Sequence, residues 1–357
     1  MRTFALLTYF LISISSFSQL IIDPSVPANT LVQNYLMGGG VTVSNVVYSG
    51  GSESLGYFTN GATTNLGFDK GIILSTGRVI DAANNVSAFT SFYTNSGGDN
   101  DIAAIASGIV YDATSLSFDV ISYSSQIVIR YIFASEEYPE YVCSNFNDAF
   151  AFFISGPSPL GGNYNNTNIA IVPSTLLPVA INSINPGVAG ANSGGGACSS
   201  LAFSYLYVDN QALNGNVAYD GFTTILTAVI DVIPCQSYHL KLVVADVADG
   251  SFDSAIFLEE GSISSNIGVS VTTGVVNPSI SSYPIESCNN PVVTLSLPIV
   301  TQIDKTYTYT VTGTATPGVD YTPLSGSITI PAGQSTVSFP INTIADGITE
   351  GDETIIL

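Results

Sequence analysis

The sequence predicts an all-β protein: a large β-sandwich or jelly-roll-like N-terminal domain, then an immunoglobulin-like sandwich that is incomplete at the C-terminus. Two observations carry this expectation. β-Branched and aromatic runs, separated by Gly-, Pro- and Asn-rich turns, recur along the chain, whereas helix signals are confined to two short stretches. The length, 357 residues, also exceeds that of one ordinary domain.

The first element is a leader. Arg2 supplies a positive start, Phe4 to Ile14 is apolar but for Thr8 and Ser13, and Ser16-Phe17-Ser18 places small residues where a signal peptidase reads. Residues 1–18 are therefore expected to be a signal peptide, cleaved before Gln19. The stretch falls short of the roughly 20 residues a membrane helix needs, and no later segment is long enough either. The expected location is secreted or extracellular.

Asn29 is a candidate cap for a helix over Thr30 to Met37, which Gly38-Gly39-Gly40 would end. Strands are expected at Val41 to Ser49 and Ile72 to Ser75. A second short helix follows over Asp99 to Ser107, with acids in its first turn. Gln126 to Phe133 (QIVIRYIF) reads as a mostly buried strand, as do Ala149 to Ile154, Phe222 to Ile233 and Tyr238 to Ala245, and Ala255 to Glu259 is a further strand candidate. The texture changes near Ser262 to Ser265. Expected boundaries are 19–264 for the first domain, 265–278 for a linker and first-strand region, and 279–357 for the second domain. Within the latter, Tyr307 to Thr312, Ser327 to Ile330 and Thr336 to Ile341 alternate as short strands, and the chain stops at Ile355-Ile356-Leu357 inside another.

Charge narrows the partners. Charged residues are only 9% of the chain, with 6 Lys+Arg against 27 Asp+Glu and a net charge of −21. Nucleic acid is excluded, because its phosphates need Lys and Arg to displace their counterions. Anionic membranes are disfavoured by the same repulsion. Cations are the natural counterpart, although acidity also serves solubility alone. The cysteines Cys143, Cys198, Cys235 and Cys288 are candidates for disulfides in an exported protein, with three connectivities open. With no CxxC pair and His239 as the single histidine, a zinc site of the usual kind is not expected.

Two acidic groups are candidate sites. Glu136-Glu137-Tyr138-Pro139-Glu140, with Asn147-Asp148, lies between two apolar strands, and a hairpin between them would bring Glu136 or Glu137 towards Asp148. Such a corner suits calcium, or sugar hydroxyls with Tyr138 or Tyr141 stacking on the ring; a rigid acidic turn is the alternative. Asp246, Asp249 and Asp253 form the second group, in which Asp246-x-x-Asp249-Gly250 matches part of a calcium loop. Asp99 and Asp101 are a third candidate, read more simply as a helix start. Catalysis is not expected: His239 alternates within a strand, and no GxSxG, phosphate loop or HExxH is present.

Two family resemblances add to this reading. Phe133-Ala134-Ser135-Glu136-Glu137-Tyr138-Pro139-Glu140-Tyr141, Phe146 to Pro157, Tyr219-Asp220-Gly221-Phe222-Thr223 and Ala245 to Ala255 resemble the choice-of-anchor L domain of bacterial surface proteins, over roughly Asn29 to Ile263. That resemblance implies display at the bacterial cell surface, through a sorting signal lying beyond Leu357. From about Gly268 on, the chain resembles a Calx-beta domain, through Gly318-Val319-Asp320-Tyr321, Ile330-Pro331-Ala332-Gly333 and Asp346 to Thr354. This implies calcium (Ca2+) ligands at Asp320, Asp346 and Glu350, with Glu286 a looser match; Gly347 stands where the family often has a second acid. Calcium needs six to eight oxygens, so carboxylates from several loops must converge.

The leading expectation is a non-catalytic secreted or cell-surface binding or adhesion module, stabilised by calcium, with a glycan or another surface protein as partner. A structural stalk and a carbohydrate-active hydrolase are the alternatives. Nothing in the sequence sets an oligomeric state.

Overall fold

The structure is a computed structural model that describes residues 19–86, 89–106, 108–196, 198–213, 216–265, 269–297, 304–345, 347 and 351–357. The signal-peptide stretch 1–18 and two calcium candidates, Asp346 and Glu350, lie outside these residues. The chain divides into two compact units, with the division after Ser265.

The first unit contains strands β1 (Ile21–Asp23), β2 (Val41–Ser49), β3 (Leu55–Thr59), β4 (Gly71–Ser75), β5 (Val110–Ser122), β6 (Gln126–Ser135) and β7 (Ala149–Pro157). After them come β8 (Asn163–Asn168), β9 (Val179–Ala180), β10 (Tyr207–Asp209), β11 (Gly221–Thr223), β12 (Leu226–Asp231), β13 (Ser237–Val247) and β14 (Ser254–Glu259). They build two antiparallel sheets. The larger runs β1-β3-β4-β14-β6-β11-β10, with β12 also on β6; the smaller runs β2-β5-β13-β7-β8, with β9 on β7.

One apolar core fills the space between the sheets. Ile72, Leu74, Ile127, Ile129, Tyr131, Phe133, Ile256 and Leu258 come from the larger sheet, and Leu116, Phe118, Val120, Phe150, Phe152, Ile154, Leu240, Leu242 and Val244 from the smaller. Alternate residues of β4, β6 and β14 (Ile73, Ile132, Ala134, Phe257) point the other way into a second cluster with Phe58, Phe68 and Tyr219. Both faces of the central strands are thus buried, which is why QIVIRYIF reads as continuous rather than alternating. The all-β expectation holds.

The differences are local. The first helix starts at Ala28, with Pro27 rather than Asn29 at its cap, and Leu31–Leu36 continue it as a wider turn. Asn29 sits inside the helix and donates to Gln33 Oε1 at 3.2 Å. The second helix shrinks to Asn100–Ala103, capped by the Asp99 carboxylate, which accepts from the Asp101 and Ile102 amides. Phe222 to Ile233 splits into β11 and β12. β5, the longest strand, was hidden by its many Ser, Thr and Asp residues, although Leu116, Phe118 and Val120 keep a period of two.

Cys143 and Cys198 form a disulfide across a sequence separation of 55, and Cys235 and Cys288 are free thiols on the surface. Among the described residues no helix is long and apolar enough to cross a membrane.

The second unit carries β15 (Ser270–Val275), β16 (Pro291–Ser296), β17 (Lys305–Thr308), β18 (Thr312–Gly313), β19 (Ser327–Ile330), β20 (Thr336–Pro340) and β21 (Ile355–Ile356). They pair as β15-β16-β20, β17-β19 and β18-β21. Val293, Leu295, Leu297, Tyr321, Ile330 and Ile341 form its core.

Candidate functional site

Follow each inward-facing row of the first unit towards one end of the sandwich and it stops being apolar. On β4 the row Ile72, Leu74 ends at Thr76; on β5, Val120, Phe118, Leu116 ends at Thr114; on β6, Tyr131, Phe133 ends at Ser135. On β7, Phe152 and Phe150 lead back to Asp148; on β13, Leu242, Val244 runs to Asp246; on β14, Leu258, Ile256 leads back to Ser254. Six strands from both sheets thus close the core with one polar residue each, all of them buried. Glu137, two residues past Ser135, is buried with them.

The partners of these groups differ. Asp148 is well held: Oδ1 accepts from the Val247 amide at 2.9 Å, and Oδ2 from the Ser254 hydroxyl at 2.7 Å. The second of these bonds crosses from one sheet to the other. Ser254 N donates to Thr76 Oγ1 at 2.9 Å, and Glu137 N to Ser135 Oγ at 2.9 Å. Asp246 is 1% exposed, yet neither of its carboxylate oxygens accepts a hydrogen bond. Glu137 Oε2 is likewise without a donor.

Just outside this layer a strap formed by Thr90 to Thr94 crosses the end of the sandwich. Thr90 donates to Glu136 Oε1 through its amide at 3.0 Å and its hydroxyl at 2.9 Å. The Phe92 amide donates to Asp253 Oδ1 at 2.8 Å, and Thr94 Oγ1 to Asp112 Oδ1 at 2.9 Å. Asp253 Oδ2 has no partner. Aromatic rings decorate the strap: Phe89, 66% exposed, meets Phe252 edge-on, Phe252 meets Tyr141, and Arg78 lies over the Phe92 ring at 4.6 Å.

Electrostatics follow from burial. Loss of water disfavours the charged form, and neighbouring carboxylates add to the effect. Burial pushes Glu136 up to about 8 and Asp253 up to about 7. Glu137 is raised by burial and by Asp148, Asp246 by burial and by Asp148. Asp148 is raised too, by burial first, while the donors from Ser254 and Val247 pull it back. Asp220 rises by burial to about 6. None of Glu136, Glu137, Asp148, Asp246 or Asp253 is in an ion pair; the pairs among the described residues are Lys70–Glu260, Arg78–Asp81, Arg130–Glu259, His239–Asp119 and Lys241 with Asp99 and Asp101.

Glu136, Glu137 and Asp148 do come together with Asp246 and Asp253, but not through a hairpin: β6 and β7 belong to different sheets, and the acids meet across the sandwich. They are interior groups rather than a surface loop. Tyr138 is fully buried and donates its hydroxyl to Ile184 O at 2.5 Å, so its ring is not open to stacking. Glu140 and Tyr141 are half-buried. Asp249 is half-buried and caps its own loop by accepting from Ser251 N at 2.9 Å. Asp99 and Asp101 hold Lys241 Nζ at 2.6 and 2.5 Å. In the second unit Glu286 is exposed, and Asp320 Oδ2 accepts from its neighbour Thr316 N at 2.6 Å. Among the described residues no three His, Cys, Asp or Glu side chains stand in a metal-binding arrangement. Thr76, Thr114, Ser135 and Ser254, and the strap, were not singled out from the sequence; only the parity of the strand rows points to the first four.

A family model for the choice-of-anchor L domain matches residues 21–264. That is well over half of the chain. The chain belongs to the choice-of-anchor L family. The match covers the two-sheet unit, with its acidic end included. The choice-of-anchor L domain is a non-enzymatic domain of surface-anchored bacterial proteins, which gives this chain a surface or extracellular setting. No curated protein and no solved structure matches the chain.

Proposed function

We propose that this choice-of-anchor L protein is a non-catalytic binding module, acting in adhesion outside the cell, with a glycan or a neighbouring surface protein as its partner. The observation that carries the reading is the aromatic strap. Phe89, Phe92 and Tyr93 are exposed, yet Phe89 is braced by Phe252, Phe92 by Arg78, and the Tyr93 hydroxyl bonds Ser251 Oγ at 2.5 Å. Rigid rings offer contact area at small entropic cost, which favours stacking on a sugar or on a partner side chain. The buried acids support the non-catalytic part, because Glu137 and Asp148 offer a substrate no open approach.

The second unit carries the Calx-beta likeness, and in this reading serves as spacer or as a calcium-stiffened neighbour through Glu286, Asp320, Asp346 and Glu350. The test is a glycan array, together with binding to bacterial surface extracts, run on the full chain and on Phe89→Ala and Tyr93→Ala. Binding that falls about ten-fold or more in these variants is the expected result. Absence of binding by the parent chain would favour a purely structural stalk.

A further inference from the structure

We propose that Glu137, Asp148 and Asp246 form an interior site for one divalent cation, calcium, that joins the two sheets at the acidic end of the sandwich. This stands on the interior alone, apart from any surface ligand.

The first support is the unpartnered oxygens. Asp246 Oδ1 and Oδ2 and Glu137 Oε2 are buried and accept no hydrogen bond. A buried acceptor left unmade costs about 1–3 kcal/mol, and more when it is charged. A chain that sets such oxygens from Glu137 and from Asp246 each against Asp148 gains by giving the three a shared cation. The second support is position: Glu137 extends β6 of the larger sheet, whereas Asp148 and Asp246 belong to the smaller. One ion there would supply the attraction that three like charges otherwise deny the junction. No Lys, Arg or His ion pair does so among the described residues.

The donor set selects the ion. It is all oxygen: three carboxylates, with the hydroxyls of Thr76 and Ser254 beside them. No thiol or imidazole is included, which disfavours zinc and copper. Magnesium demands a near-ideal octahedron and keeps its waters, whereas calcium accepts six to eight irregular oxygens. Asp148, fixed by Val247 and Ser254, is the anchor. The three side chains do not stand in metal-binding geometry in the structure without the ion. The two that must turn, Asp246 and Glu137, are the two with oxygens outside any well-formed hydrogen bond, so closure costs Asp246 no more than its weak approaches to Thr76 and Asp148.

The test uses the full mature chain, stripped with chelator and then titrated with calcium chloride, with thermal unfolding followed by near-ultraviolet circular dichroism and binding by calorimetry. At a hundred-fold excess over Kd, calcium should raise the midpoint of the first unit by about 5–10 °C. Asp246→Asn and Glu137→Gln should each abolish that rise while folding normally in chelator, and Asp320→Asn in the second unit should retain it. A parent chain indifferent to 10 mM calcium overturns the proposal, as does a rise that persists undiminished in both Asp246→Asn and Glu137→Gln.

Discussion

The two ends of the same sandwich interior solve one problem in opposite ways. Both must cap an apolar core with polar residues. At the end where β6 begins, among the described residues, no buried carboxylate is left without a donor and Ser262 Oγ is the one hydroxyl without a partner: Gln126 Nε2 donates to Asp231 Oδ1 at 2.7 Å, and Ser122 Oγ to Ser124 O at 2.7 Å. Tyr238 accepts there from Ile233 N at 2.7 Å and donates to Pro157 O at 2.8 Å. At the end where β6 stops, Asp246 and Glu137 are as deeply buried, but their oxygens face other carboxylates. Burial alone does not mark a site. What distinguishes the acidic end is acceptors without donors, in a chain that supplies ordinary caps elsewhere.

The largest expected effect breaks the satisfied end. Gln126→Leu removes the amide donor from the Asp231 carboxylate, and should destabilise the first unit by about 2–3 kcal/mol, read as a denaturant midpoint at unchanged slope. The mirror substitution at the acidic end should have the opposite sign. In chelator, Asp246→Leu deletes a buried carboxylate that has the Thr76 hydroxyl as its nearest donor and makes no well-formed hydrogen bond, and should stabilise by about 1–2 kcal/mol. A loss of stability there would show that Asp246 has a donor in solution and would erase the contrast between the ends.

A further effect is in pH. Glu136 and Asp253 are raised by burial, to about 8 and about 7. Groups raised in the folded state contribute stability fully below their ordinary values and lose it as pH rises through the folded ones. The chelated chain should therefore melt a few degrees higher at pH 5 than at pH 9. Asp119 runs the other way: its bonds to Asn45 and His239 lower it, so its contribution disappears only on strong acidification. A midpoint that climbs between pH 5 and pH 9 in chelator would contradict a buried, donor-poor acidic end.

Much of the fold was legible because long runs report burial on both faces. QIVIRYIF and AFAFFI are interior strands of their sheets for that reason. β5 was not legible, since Thr114, Ser115, Ser117 and Asp119 dilute its apolar row, and pairing to β13 and β2 rather than composition makes it a strand. The site was half legible. The acids themselves were visible, but a charged run between strands reads as a solvated turn, and which sheet each strand joins is a long-range fact. Parity was the available signal: Phe133, Ser135 and Glu137 share one side of the chain, as do Val244 and Asp246, or Asp148 and Phe150. Cysteine pairing depended on the same long-range geometry.

The Cys143–Cys198 bond has a consequence for when this protein becomes stable. It closes a loop containing β7, β8 and β9, so one edge of the smaller sheet is enclosed by a covalent ring. Closing a ring of that size removes on the order of 4 kcal/mol of freedom from the unfolded chain, a large share of a typical domain's total stability. Before export, in a reducing cytoplasm, the chain lacks that contribution. Its folded state therefore gains that stability only where thiols oxidise, so an oxidising compartment adds to the fold what the sequence alone does not.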